Sequence, residues 1–197
     1  MRAFPRIFVA PMVVALVSAA GCSSVTIEST RKQNDATTIE PIAIVVYQGP
    51  MEREQADKLA QALVHSAQRR RVVARATVFN GTELDENASL LSAAQGMRGL
   101  VTIRYAGGSH WPDGSYKQIL YDARAFRVVA PTLDPVWRGR VQIDVPFLNP
   151  VPTDLTGSEG EVAETVILRL VDEHVVNGVP GELPYQPPAS SADPAGG

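Results

Sequence analysis

The chain has 197 residues, of which 45% are hydrophobic and 20% are charged, and its formal net charge is −3 at pH 7. This length and apolar content suit one folded domain with a real core. The mild acidity excludes the dense basic footprint of a nucleic-acid-binding protein, and a single cysteine excludes an internal disulfide framework.

The amino-terminal residues have the three parts of a secretory signal. Arg2 and Arg6 supply positive charge, the apolar run IFVAPMVVALVSAA follows, and small residues precede Cys22. A membrane-spanning helix is the competing interpretation, but it needs about 20 apolar residues, and this run is shorter and contains Pro11. We predict that residues 1–21 are a signal peptide, whose removal brings the net charge to −5.

The residues AAGC, which end at Cys22, resemble the lipobox of bacterial lipoproteins. The resemblance implies that Cys22 receives a diacylglyceryl group and becomes the acylated mature amino terminus. Ser23 at the next position implies sorting to the outer membrane, on its periplasmic face. The family usually has leucine where this chain has Ala19. The alternative is an ordinary signal peptide followed by a free thiol, which an oxidising compartment disfavours.

Two polar segments flank the predicted domain. Residues 22–40 are rich in serine and threonine without sustained periodicity, which predicts a flexible tether with a root-mean-square reach of about 23 Å. Residues 180–197 are rich in proline, alanine and glycine, which predicts a disordered tail. Residues 41–179 are therefore the predicted α/β domain.

The first half of this domain predicts a strand, a helix and a second strand. Ile42–Tyr47 is a continuous β-favouring run, residues 51–70 place their apolar side chains on one helical stripe, and Val72–Phe79 is again β-favouring. This order predicts a parallel crossover pair. A shorter helix around Glu86–Gln95 follows, with Asp85 as its cap.

The second half predicts antiparallel strands and a last helix. The strands are LVTIRY, QILYDARAFRVV and PVWRGRVQIDV, and a hairpin between the last two places alternate residues on opposite faces. One face is apolar and carries Tyr121, Ala123, Ala125, Trp137, Gly139, Val141 and Ile143. The other is polar and carries Asp122, Arg124, Arg138, Arg140, Gln142 and Asp144.

The last helix begins at Ser158, where Glu161 completes a capping box, and ends near Asn177–Gly178. The predicted fold class is therefore α/β (α+β), with the order β-α-β-α-β-β-β-α and a mixed sheet whose helices lie mainly on one face. This order, the lipobox and the VWRG of the last strand resemble small envelope lipoproteins whose domain is similar to the amino-terminal domain of TolB. The resemblance covers roughly residues 41–178 and implies an envelope assembly or transport role without catalytic residues.

No catalytic, cofactor or metal site is predicted. Ser109, His110 and Asp113 invite a hydrolase interpretation, but adjacent residues of an extended chain point opposite ways. Residues 111–114 also fit a type I turn, with proline second and glycine fourth. The histidines lack metal-ligand spacing, and the acidic residues near Asp85 lack the pattern of a calcium loop.

The candidate interaction residues each have two interpretations. Arg69, Arg70 and Arg71 either complement the carboxyl end of the first helix or bind an anionic partner. In the loop at 107–116, Trp111 and Tyr116 either pack the turn or form an exposed aromatic anchor. The polar sheet face offers two further candidates, which are Arg138 and Arg140.

Three functions follow as hypotheses. The first is a non-enzymatic adaptor or assembly module, held to the membrane through Cys22, whose sheet face, sheet edge or loop contacts another envelope protein. The second is an accessory subunit of a lipid or glycolipid transport system, which requires an apolar groove. The third is a cell-wall hydrolase, which requires converging catalytic groups. The sequence predicts no cofactor and leaves the oligomeric state open.

Overall fold

The computed structural model describes residues 24–32, 36–82, 85–145 and 158–180. The described residues form a mixed six-stranded sheet in the order β1-β6-β5-β4-β2-β3, together with three helices. The strands are β1 Ser24–Arg31, β2 Ile42–Tyr47, β3 Ala74–Phe79, β4 Gly99–His110, β5 Tyr116–Val129 and β6 Thr132–Asp144, and the helices are α1 Arg53–Arg69, α2 Glu86–Ala93 and α3 Glu159–Asp172. The predicted α/β class is confirmed. The signal peptide, Cys22 and the tail after Pro180 lie outside the described residues.

The predicted parallel pair of β2 and β3 forms, but the prediction that β4 is one of the antiparallel strands is wrong on one side, where β4 pairs in parallel with β2 and only its other side pairs antiparallel with β5. β2 pairs in parallel with β3 on one side and with β4 on the other. Every residue of β2 is buried, because α1 packs on the face of Ile44 and α2 packs on the face of Val45. α1 and α3 share the first face, so the helices lie mainly on one side of the sheet.

The antiparallel part has the predicted division into two faces. β5 pairs with β6 so that Tyr121 lies opposite Val141, Ala123 opposite Gly139 and Ala125 opposite Trp137. All six residues are buried, and all except Gly139 belong to the main core with α1 and α3. The ring of Trp137 fills the space above Gly139, where an added Cβ would lie 2.5 Å from Trp137 Cη2.

The prediction of a flexible tether over residues 22–40 is wrong for Ser24–Arg31, which form β1. This strand pairs antiparallel with β6 along its whole length. Val25 and Ile27 are half-buried against the main core, while Thr26 and Glu28 are exposed. Apolar and polar residues do alternate here, but two apolar residues are a weak strand signal in the sequence. Pairing with β6 is what makes this segment a strand.

The predicted end of the last helix is also wrong. α3 ends at Asp172, because His174 adopts a left-handed φ of 56° and its N–H bonds to the carbonyl of Val171. Val175 and Val176 after this turn are buried in the core. At the other end Ser158 is the N-cap, but its side chain makes no cap hydrogen bond, so the predicted capping box does not form.

Candidate interaction site on the open sheet face

The polar side of β4, β5 and β6 forms a surface that we call the arginine face. It consists of Arg104, Asp122, Arg124, Arg138 and Arg140. These residues alternate with core residues along their strands, so the pleat directs them away from α1 and α3. α2 lies on this side of the sheet but packs with β2 and the start of β4. The arginine side chains are therefore 51–57% exposed.

Asp122 is the centre of the arginine face. Its Oδ2 lies 3.1 Å from Nη2 of Arg138 and 3.6 Å from Nη2 of Arg124, and its Oδ1 lies 3.6 Å from Nε of Arg140. Arg124 and Arg138 stand directly opposite each other on β5 and β6, a placement that is destabilising for like charges. The shared carboxylate offsets this repulsion.

Arg104 extends the arginine face towards α2. It forms an ion pair with Glu86, and its guanidinium carbon lies 4.1 Å from the centre of the Tyr47 ring. The hydroxyl of Tyr47 donates to Glu86 Oε1 at 2.6 Å. Burial and then this hydrogen bond raise the pKa of Tyr47 to about 12. The same bond is the largest cause that lowers the pKa of Glu86.

Two of the predicted basic residues are not on a free surface. Arg70 is buried and forms an ion pair with Glu164 of α3, while Nη1 of Arg69 lies 3.7 Å from the same carboxylate. Ser66 donates to Glu164 at 2.6 Å. These contacts hold α1 against α3. Arg71 alone is exposed, with a left-handed φ of 60°.

The aromatic loop residues pack within their own hairpin. Trp111 and Tyr116 are half-buried, since Tyr116 lies against His110 at 4.4 Å between ring centres and Nζ of Lys117 lies 5.2 Å from the Trp111 ring. The predicted turn is present, because the N–H of Gly114 bonds to the carbonyl of Trp111 at 3.0 Å. The structure therefore favours turn packing over an exposed aromatic anchor.

The residues of the hydrolase interpretation make other contacts in the same loop. The carboxylate of Asp113 accepts hydrogen bonds from the hydroxyl and the N–H of Ser115, and His110 stacks on Tyr116. No hydrogen bond joins Ser109, His110 and Asp113, all of which are described. Within the described ranges there is also no cluster of three or more potential metal ligands, and no helix there is long and apolar enough to span a membrane.

Two grooves flank β3, one on each side of the sheet. The groove between β3 and α2 has a volume of about 690 Å³ and is lined by Phe79, Thr77 and Arg75 with small residues of α2, which are Ala88, Ser89, Ser92 and Ala93. The groove between β3 and α1 has a volume of about 470 Å³ and is lined in part by Ala60, Val64 and Val78. The alternating strand patterns of the sequence do not predict either groove.

The site residues that sequence reasoning missed are Arg104, Glu86 and Tyr47. Arg104 was predictable as a polar-face residue, because it alternates with Ile103 and Tyr105 in a strand that is buried on one side. Its contact with Glu86 and its position opposite β5 depend on the order of the strands in the sheet, which the local pattern does not reveal. Arg124 and Asp122 were predicted on the polar face, but their convergence with Arg138 and Arg140 follows only from the register.

Comparisons with known proteins show only distant structural similarity. No family model and no curated protein matches the chain. Among solved structures, the PelC dodecamer from Paraburkholderia phytofirmans has a TM-score of 0.43 at 12% identity, and covers 78% of this chain and 99% of that one. A variant PelC dodecamer from the same organism has a TM-score of 0.44 at 12% identity, with 78% and 98% coverage. Similarity of this size identifies neither a family nor a function.

Proposed function

We propose that this protein is a non-enzymatic, lipid-anchored adaptor of the outer membrane, on its periplasmic face. The observation that carries the proposal is the arginine face, an exposed surface with four guanidinium groups. This face has more guanidinium groups than carboxylates and therefore carries a net positive charge. Here Asp122 and Glu86 are the carboxylates in contact with the four arginines, and Glu28 lies opposite Arg140 on β1.

The unused hydrogen-bond donors of this face support an acidic partner. A guanidinium carries five N–H donors in a planar fork, and three of these groups share the two oxygens of Asp122. A protein surface that presents carboxylates would satisfy the remaining donors with bidentate bonds. Exposed charge pairs of this kind set partner choice and association rate more than affinity. An acidic surface of another envelope protein is therefore the proposed partner.

The anchor fits this function, because little chain separates it from the sheet. Cys22 stands two positions before β1, which begins at Ser24. Ser24 pairs with Asp144, and Asp144 pairs with Gln118 near the 111–114 turn. An acyl group on Cys22 would hold this end of the sheet at the membrane. Arg140 lies four residues farther along β6, about 13 Å away, so the arginine face would stay accessible.

The test compares capture of envelope proteins by matched variants. The wild-type protein, the double variant Arg138→Ala/Arg140→Ala and the control Arg98→Ala are expressed at native abundance and purified from detergent-solubilised envelopes. Arg98 is exposed and lies outside the arginine face. We expect one acidic protein to copurify with the wild type and the control, and to fall at least tenfold with the double variant. Equal capture by all three, or no captured protein, would contradict the adaptor function.

The anchor has its own test. Mass spectrometry of the amino-terminal peptide of the native protein should show Cys22 carrying a diacylglyceryl group and an acylated amine. A free thiol at Cys22, or a protein released into the aqueous extract of its host, would exclude the anchor.

The groove between β3 and α2 favours a second candidate function, an accessory role in lipid or glycolipid transport. Its walls of alanine side chains and Phe79 would accept an acyl chain, and Arg75 at its rim would face a headgroup. Native mass spectrometry of the same purified sample distinguishes the two functions. A lipid bound at one copy per chain favours the transport function, and the absence of bound lipid favours the adaptor function.

A further inference from the structure

β3 lies at one end of the sheet, and no described strand occupies its outer hydrogen-bonding edge. The carbonyls of Val73 and Phe79 accept bonds from the N–H groups of Ile42 and Gln48 on the β2 side. In an extended strand the N–H and C=O of one residue point the same way and alternate from residue to residue. The backbone groups of Ala74, Ala76 and Val78 therefore point away from the sheet, and none of the described strands pairs with them.

Two of the features that normally protect an edge strand, a proline and a bulge, are absent from β3. Such strands are usually guarded by proline, a bulge or an outward lysine. β3 contains no proline, and its pairing with β2 is regular over all six residues. Its one charged side chain, Arg75, folds onto α2 and donates to the carbonyls of Ala93 and Gln95 at 2.8 and 2.7 Å. Val73, just before the strand, is 62% exposed.

The two grooves lie where the side chains of an added strand would go. Successive side chains of a strand point to opposite faces of its sheet. A strand paired with β3 would direct alternate side chains into the groove beside α2 and the others into the groove beside α1. Such paired pockets give specificity to strand addition, while the backbone bonds give affinity.

The charges along this edge favour an acidic segment. Arg53 at one end is already paired with Asp57 at 3.1 Å, and Glu40 accepts a bond from the N–H of Val73. Arg71 and Arg75 form no ion pair among the described residues, and they outnumber the one unpaired carboxylate beside them, Glu40, so this edge carries a net positive charge. Arg75 lies on the α2 side, where Ser89 and Ser92 add polar groups, whereas Ala60, Val64, Ala76 and Val78 form the apolar part of the α1 side, beside the polar Gln61, His65 and Gln68.

The geometry points to β3 as a strand-addition site for an extended acidic segment of a partner protein. Acidic side chains of that segment face α2 and Arg75, and the alternating apolar side chains face α1. The site is separate from the arginine face and does not depend on it. An adaptor with both surfaces can hold two partners at once, one through side-chain charges and one through backbone bonds.

The experiment uses a defined probe and the mature full chain in detergent. The probe is an eight-residue peptide of alternating glutamate and valine, acetylated and amidated, and its twin has lysine in place of glutamate. We expect the acidic peptide to bind at least tenfold more tightly than the twin in fluorescence anisotropy. We also expect saturating acidic peptide to slow amide hydrogen exchange at Ala76 at least tenfold, with little change at Thr77, whose N–H already faces β2.

Two variants of Ala76 supply the matched comparison. Ala76→Pro removes an outward N–H without removing a bond to β2, and Ala76→Val keeps that N–H. Binding should fall at least tenfold with proline and persist with valine. Arg138→Ala/Arg140→Ala should bind the peptide as the wild type does, so failure of the arginine face and failure of this site give different results. If the Ala76→Pro variant unfolds, the difference in amide hydrogen exchange between Ala76 and Thr77 in the wild-type protein tests the proposal instead.

Several results would overturn the proposal. The first is the absence of acidic-peptide binding at millimolar concentration, and the second is equal exchange changes at Ala76 and Thr77. Slow exchange at Ala76 in the isolated monomer would mean that the chain covers its own edge. A dimer that Ala76→Pro dissociates would assign the edge to a second copy. A lipid that is bound in the groove and that the peptide cannot displace would assign the groove to lipid transport.

Discussion

The covered and open sides of this molecule each hold a carboxylate surrounded by arginines, and the two clusters have opposite consequences. Glu164 joins Arg69 and Arg70 between α1 and α3, where the Arg70 side chain is only 4% exposed. Asp122 joins Arg124, Arg138 and Arg140, whose side chains are more than half exposed. Both clusters place arginines around one carboxylate, and the difference between them is how far the arginine side chains are buried.

The physical reason is the dielectric environment of each cluster. Removing one partner of a buried pair leaves an uncompensated charge in a medium that solvates it poorly. Exposed pairs contribute little to stability, because water and salt screen them and solvate whatever remains. The comparison therefore predicts large stability effects at Glu164 and large binding effects with small stability effects on the arginine face.

The largest expected effect is that of Glu164→Ala. It leaves the buried Arg70 without its carboxylate and should lower the free energy of unfolding by about 3 kcal/mol, measured by urea denaturation. The matched control is Glu161→Ala, which is exposed one turn earlier on the same helix and should cost less than about 1 kcal/mol. Equal losses for the two variants would remove the distinction between the clusters.

Gly139→Ala tests the packing beneath the covered side. The added Cβ would lie 2.5 Å from Trp137 Cη2 and 3.1 Å from Ile27 Cδ1, so we expect a loss of about 1–3 kcal/mol from overpacking. Gly160→Ala is the control, because nothing lies within 4 Å of its added Cβ and alanine is the better helix former by roughly 1 kcal/mol. The two variants should shift the melting temperature in opposite directions.

Asp122→Ala tests the open side. The loss of its carboxylate leaves Arg124 and Arg138 facing each other, so we expect a cost of about 1 kcal/mol at low salt. This cost should nearly vanish at about 1 M salt, where the Debye length is roughly 3 Å, whereas the cost of Glu164→Ala should persist. A salt-independent cost at Asp122 would show that this cluster is structural like the other.

The smallest expected effect is a pH dependence at the rim of the arginine face. Because the pKa of Tyr47 is raised to about 12, its protonated form contributes stability below the ordinary tyrosine pKa of about 10, and this contribution is lost as the pH rises towards 12. Absorbance at high pH should show more than one late-titrating tyrosine, because burial also raises the pKa of Tyr121 and of Tyr105, and Tyr47→Phe should remove one of them. A wild-type stability curve that parallels that of Tyr47→Phe between pH 10 and 12 would contradict this account.

Local patterns in the sequence were sufficient for most of the elements. Ile42–Tyr47 predicted a doubly buried strand, and the alternation from Tyr121 to Ala125 predicted which side chains enter the core. Both depend on near neighbours in the chain, since the strand period of two assigns faces without knowledge of the partner strand. The cap at Asp85 was equally local, and its side chain accepts the N–H of Ala88.

The sequence by itself thus determined the fold class, the parallel unit and the division of β5 and β6 into an apolar and a polar face. Only the tertiary structure decided that Ser24–Arg31 is a strand, because its stability comes from β6, more than 100 residues later. It also decided that Arg70 meets Glu164 while Arg138 meets Asp122. An arginine side chain favours contact with an anion wherever it lies in the sequence. The energy of that contact depends on its burial, and burial is established only when distant elements pack together.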